Sequence, residues 1–135
     1  MSVIVTDTGF QAEDFTGSIV ALSDYNGETA VDLSSACDPQ LLADHLNALE
    51  FVRVDFPSFA DGRGFTIGRQ LRLMGYTGRL RAKGHVISDQ YAMARRQGFD
   101  EVEISAEQAE RQPEGEWTFR ANWQQNDYQN RVRVG

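Results

Sequence analysis

The chain is poor in the residues that usually announce a chemistry. It has one cysteine, Cys37, two histidines and three prolines in 135 residues. A single thiol excludes an intrachain disulfide. Cys37, His45 and His85 have no metal-ligand spacing, so no metal site is expected. No apolar run approaches the roughly 20 residues that cross a bilayer, which predicts no membrane span. Residues 1–10 lack the basic and then apolar stretches of a signal peptide. With so little cysteine, the expected location is a reducing cytoplasm. No Gly-x-Ser-x-Gly elbow and no P-loop occur.

What is present is charge, unevenly placed. The net charge is −7. Residues 56–96 hold Arg63, Arg69, Arg72, Arg79, Arg81, Lys83, Arg95 and Arg96 against Asp61 and Asp89, a balance of +6 that leaves −13 elsewhere. An acidic chain repels the phosphate backbone that drives non-specific nucleic-acid binding, so no nucleic-acid partner is expected. Seven of the eight cations are arginine, the residue suited to bidentate recognition of carboxylate or phosphate. The asymmetry points to a surface facing a small anion.

Periodicity predicts a single α/β domain over 1–135, with a mainly parallel sheet built from βαβ units. Residues 3–5 suggest a short strand within a segment, 1–15, that is mobile or at an edge. Residues 18–23 and 29–33 read as strands joined at Asn26-Gly27 in an N-terminal hairpin. Asp38 and Pro39 start a helix with Leu42, Leu46 and Leu49 on its apolar face. Strands then follow at 51–56, 79–83 and 101–104. Helices at 64–74 and 88–97 lie between them and stop at Gly75 and Gly98. Residues 105–115 suit a short helix and a loop. Trp117, Phe119, Ala121 and Trp123 alternate with polar residues and predict a C-terminal edge strand. Trp117 and Trp123 suit packing rather than a ligand platform. The tail, 125–135, is expected to be mobile. An open sheet and a half-barrel share these units, and a half-barrel would need a second copy for closure.

Parallel strands place their strand-to-helix loops at one edge, so Cys37, Asp61, Arg63, His85 and Asp89 are expected to converge. Asp61-Gly-Arg-Gly64 offers backbone N–H groups and a charged fork to an anion. The competing reading is a tight turn in which Asp61 caps the helix and Arg63 pairs with a carboxylate. Gly62-x-Gly64-x-x-x-Gly68 invites a dinucleotide reading, with Arg81 or Lys83 suited to the 2′-phosphate of NADP, but the spacing is off by one. One strand face carries Arg79, Arg81 and Lys83, which requires carboxylates such as Asp55 or Asp89 beside them. Cys37, ahead of a helix start, is either an activated thiol or a small apolar residue. His45 suits a half-buried helix position. His85, in a loop, is the better acid–base candidate, with Asp89 beside it in sequence.

Phe56-Pro-Ser-Phe-Ala-Asp-Gly-Arg-Gly-Phe-Thr66, Gln70-Leu-Arg72, Gly75-Tyr-Thr-Gly78, Leu80-Arg-Ala82, Gly84, Asp89-Gln90 and Gly98-Phe-Asp100 together resemble a bacterial family, domain-of-unknown-function family 934. The likeness is dense over the central third and loose elsewhere. It implies encoding beside a sulfite or nitrite reductase hemoprotein, and hence an accessory role or a small oxidoreductase of sulfite reduction. It implies the hemoprotein as a partner; NADP, from the glycine pattern, or a flavin is the cofactor expected of the oxidoreductase reading. It carries over Asp61, Gly62, Arg63, Gly64, Arg72, Arg81, Asp89 and Gln90, with Gln70 less firmly matched. Family members commonly carry an acid at His85 and a cysteine at Gln97, so a thiol role at the latter position does not transfer. A third reading is a structural partner that docks on an acidic protein.

Overall fold

A computed structural model describes residues 2–122. Seven strands form one open sheet in the order β2-β1-β7-β6-β5-β4-β3. They are β1 (Ser2–Thr6), β2 (Gly9–Gln11), β3 (Val20–Ala21), β4 (Ala30–Leu33), β5 (Phe51–Phe56), β6 (Arg79–Gly84) and β7 (Glu101–Ser105). The helices are α1 (Arg63–Leu73), α2 (Tyr91–Arg96), α3 (Ala106–Arg111) and α4 (Glu114–Thr118). Strands β3 to β7 are parallel, and β1 is antiparallel to β7 and β2. The parallel strands follow one another in order without a reversal, so the sheet has no switch-point crevice of the dinucleotide-binding kind. Among the described residues no helix is long and apolar enough to cross a membrane.

The predicted α/β architecture and its three central strands are present. Helices α1 and α2 start and stop close to where their sequences suggest, whereas the helix expected from Asp38 through Leu49 is only a 3-10 turn, Pro39–Leu42, followed by turns. Gly75 and Gly98 adopt φ of 102° and 104°. They close α1 and α2 with Tyr76 N–H donating to Leu71 O and Phe99 N–H donating to Ala94 O, each at 3.0 Å. Asp38 caps a 3-10 turn at Pro39–Leu42, and its carboxylate accepts from Gln40 N–H.

Three expectations are corrected. The segment 18–33 is not a hairpin, because β3 and β4 pair in parallel. After β3 the chain makes a 3-10 turn at Leu22–Asp24 and packs Tyr25 on the core and on His45, so it crosses back before re-entering the sheet. The N-terminal strand is not an edge element. It lies between β2 and β7, with Ile4 and Val5 buried. The C-terminal edge strand is a helix. Trp117 is fully buried, donates to Gln112 O at 2.9 Å and meets Tyr91 edge-on. Ala121, one helical turn later, also packs on the core while Phe119 is exposed. Spacing of four therefore overrides the alternation. Trp123 and the tail at 125–135 lie outside the described residues.

The two faces of the sheet differ. Val31, Leu33, Val52, Val54, Phe56, Leu80, Ala82, Val102 and Ile104 face the helices in one core. The opposite face carries Asp32, Arg53, Arg81 and Glu101 as a row of register partners across four strands. Residues 12–19 lie over it and link β2 at one edge to β3 at the other. Six strand spacings of ~4.8 Å make roughly 29 Å. Nine residue steps from Gln11 to Val20 reach at most roughly 32 Å, enough for this strap to cross the face with its bend at Gly17.

Candidate functional site

The parallel strands bring four loops to their carboxyl edge, and side chains stitch these together. Ser35 Oγ donates to Asp61 at 3.1 Å, Gln90 Nε2 to Phe59 O at 2.7 Å, and Gln108 Nε2 to Val86 O at 2.7 Å. Ser88 N–H donates to Gln112 at 3.1 Å. Gly84 turns the chain out of β6 with φ of 115°, and a Cβ there would stand 2.6 Å from Phe56 O. The same oxygen accepts from His85 N–H at 2.9 Å, so only glycine fits the step that delivers His85 to the edge.

The edge residues do not all meet. They divide between two places. One cleft of about 310 Å³ is lined by Ser35, Cys37, Arg63, Thr66, Ile67 and Gln70 among others. Arg63 lies there but its fork is occupied, with Nε and Nη2 donating to Asp61 at 2.9 and 2.8 Å and Nη2 to Ser35 at 3.2 Å. Asp61, one residue before the N-cap Gly62, also accepts Arg63 N–H at 3.1 Å, so it satisfies the first N–H of α1 and neutralises Arg63. These bonds hold the Asp61 carboxyl far below its ordinary range. Gly64 and Gly68 serve close packing. A Cβ on them would stand 2.5 and 2.4 Å from the rings of Phe56 and Phe99. The Cys37 thiol is pushed up by burial and then by Asp38, which favours the small apolar reading over the activated thiol. The element that follows is only a 3-10 turn.

The other place is at β6, β7 and α3. A cleft of about 390 Å³ is lined by Ser2, Lys83, Gly84, His85, Glu103, Ile104, Ser105, Glu107, Gln108 and Arg111. A second cleft of about 390 Å³ is lined by Phe59, His85, Ile87, Gln108, Arg111 and Gln112. Asp89 lines neither and pairs with Arg120 at 2.7 Å. Gln90 binds two loop backbones, accepting Ile87 N–H at 3.0 Å and donating to Phe59 O.

Most of the basic stretch is consumed inside the molecule. Arg81 is fully buried, with Glu101, Glu103 and the strap residue Glu13 as partners. Burial opposes its charge, but Glu13 and the two strand glutamates outweigh that and hold its pKa up. Arg79 pairs with Glu101 and Asp14, and Arg53 with Asp32 and Glu103. The carboxylates are thus Glu101, Glu103, Glu13 and Asp14, not the expected Asp55 or Asp89. Parallel register sets Arg81 opposite Glu101, and Glu103 follows on the same face. Phe15 stacks on Phe51 at 4.3 Å between centroids. Arg72 donates to Gly98 O, Tyr76 O and Gly78 O at 2.9, 3.0 and 2.7 Å and pairs with Asp100. It staples the far end of α1 and lines none of these clefts. Arg81, being unexposed, leaves no room for a 2′-phosphate. Lys83 differs from these arginines. It lines the cleft and makes no ion pair among the described residues.

Sequence reasoning placed Arg79, Arg81 and Lys83 on one face with carboxylates beside them but missed which carboxylates, and it missed Arg111 and Gln108. The signal for the first was available: Arg79, Arg81 and Lys83 alternate along one strand, as Glu101 and Glu103 do along its neighbour.

The family model "Bacterial protein of unknown function (DUF934)" matches residues 30–134. The chain belongs to this family. No curated protein and no solved structure matches it. The match spans the carboxyl edge from β4 onward. It begins after the strap, which carries Glu13 and Asp14.

Proposed function

We propose that this protein binds a small oxyanion in the cleft at the carboxyl ends of β6 and β7, as an accessory of assimilatory sulfite reduction. One observation carries the anion reading: Lys83 lines that cleft and forms no ion pair among the described residues, though Asp55 and Glu103 are its register partners on the neighbouring strands, and Arg111, His85 and Ser105 line the cleft with it. Glu103 lies there too, but Arg53 and Arg81 already hold it. Glu107 pairs with Arg111 at 3.2 Å, both side chains being exposed, and such a pair yields readily to a competing anion. The accessory role rests on the family resemblance. An oxidoreductase acting through His85 and Asp89 has less support, since Asp89 is held by Arg120. Docking on an acidic protein has less support too, since most strand arginines are neutralised internally.

The test is titration of the full chain with sulfite, sulfate and phosphate, by calorimetry and by thermal shift. A charge-assisted hydrogen bond is worth about 1.5–3 kcal/mol, so Lys83→Ala is expected to weaken binding about tenfold or more. Arg63→Ala, in the other cleft, is expected to leave it unchanged. Absence of binding, or equal binding by Lys83→Ala, overturns the reading. Co-elution with the sulfite reductase hemoprotein tests the accessory role separately.

A further inference from the structure

We infer that the ligand of this edge is an aryl anion, an aromatic ring bearing one phosphate-like group, with its ring in the second cleft. The inference rests on the anion reading above and adds the ligand's other half. The two clefts share His85, Gln108 and Arg111 and so adjoin. One brings Lys83 and Ser105; the other brings Phe59 and Ile87. Each measures about 390 Å³. An oxyanion fills the space of a few waters at about 30 Å³ each, so it leaves most of this groove unfilled. Small-molecule sites combine apolar walls with a few placed polar groups, which is the composition of the two clefts together.

Phe59 gives the second, independent observation. Its side chain is 59 % exposed, a costly state for a large apolar group. Its loop nevertheless has a fixed course. Gln90 Nε2 holds Phe59 O at 2.7 Å, Ser58 Oγ accepts Ala60 N–H at 3.2 Å, and Ser58 O accepts Asp61 N–H at 3.0 Å. The opposite wall is fixed as well. Gln108 is buried, bonded to Val86 O, and 3.4 Å from Gln112 Oε1. A ring presented by a braced loop beside a braced wall is prepared for a flat apolar group, and this ordering lowers the entropy cost of binding. His85 borders both clefts and reaches the ring and the anionic group of one ligand.

The experiment compares inorganic phosphate with phenyl phosphate on the full chain by calorimetry, in wild type, Phe59→Ala and Lys83→Ala. Phenyl phosphate is expected to bind wild type about tenfold tighter than phosphate, from burial of the ring. Phe59→Ala is expected to remove most of that advantage and leave phosphate affinity unchanged. Because Phe59 is exposed, the variant keeps the fold, which circular dichroism verifies. Equal affinity of the two probes for wild type, or an undiminished advantage in Phe59→Ala, overturns the aryl inference while phosphate binding and its loss in Lys83→Ala preserve the anion reading. Failure of both probes to bind overturns both. Phenyl phosphate binding that Lys83→Ala leaves intact overturns the anion reading and, with it, the aryl anion.

Discussion

On the helix side of the sheet, Val52, Val54, Phe56, Leu80 and Val102 pack against Phe65, Ile67, Leu71, Tyr91 and Phe99. On the strap side, the same strands carry Arg53, Arg79, Arg81, Glu101 and Glu103, under the single segment 12–19. Apolar contact tolerates any partner of suitable shape. Ion pairs in a covered face tolerate only partners of the right sign and reach, because an unmatched charge there costs several kcal/mol. The helix side is therefore repaired by changes of volume, and the strap side only by changes of charge. The comparison also separates two kinds of cation. Those facing the strap hold the fold together, and Lys83, at the end of the same strand, lines the cleft.

The largest expected effect breaks the strap side. Arg81→Met leaves Glu101 and Glu103 covered and short of a partner, and is expected to cost about 3–5 kcal/mol in urea unfolding. Adding Glu101→Gln is expected to recover part of that loss. A cost below about 1 kcal/mol would place the ionic face among exposed, weakly coupled pairs.

A middle effect tests the helix side. Gly68→Ala sets a methyl within 2.4 Å of the Phe99 ring, which is held by Phe56 and Phe65. A loss of about 1–3 kcal/mol is expected from overpacking, relieved in the Gly68→Ala, Phe99→Leu double variant. Gly62→Ala meets nothing within 4 Å and is expected to be close to neutral. If Phe99→Leu gives no relief, the crowding lies elsewhere.

The smallest effect is electrostatic and sharpens the role of the strap. The Arg81 hydrogen bond lowers the Glu13 carboxyl to about 2, from 4.5 when unperturbed. The ionised form is favoured in the folded state, so the stabilisation is full above about pH 4.5 and is lost as pH falls toward 2. Glu13→Gln is expected to flatten the pH dependence of the urea midpoint in that window. The side chain is 37 % exposed, so the change at neutral pH is expected to stay within about 1 kcal/mol. Asp14 and Asp61 are also lowered by their arginines, and some slope persists. An unchanged slope would mean that the strap carboxylate contributes nothing in solution.

The central strands and the first helix were legible because local pattern and tertiary fate agree there. The run at 51–56, the stops at Gly75 and Gly98 and the cap at Asp38 depend on neighbours a few residues away. The bond of Asp61 to the first N–H of α1 and its pairing with Arg63 were legible for the same reason, although the N-cap itself is Gly62. The terminal helix was not, because its alternation ends on Trp117 and Ala121, and packing against Tyr91 selects their helical spacing. The anion edge was legible as a set of loops but not as a pair of clefts. Nothing local shows that Arg63 and His85 line different walls.

Sequence alone settled the α/β class, the order of the central elements and the edge at which their loops gather, since periodicity and chirality act along the chain. Only the tertiary structure decided which cations meet an outside anion. The excess of arginine at 56–96 looked like a surface awaiting a ligand, yet the sheet register and the strap bring Glu101, Glu103, Glu13 and Asp14 to Arg79 and Arg81. Coulomb attraction depends on distance in space, and a charge count along the sequence carries no record of that distance.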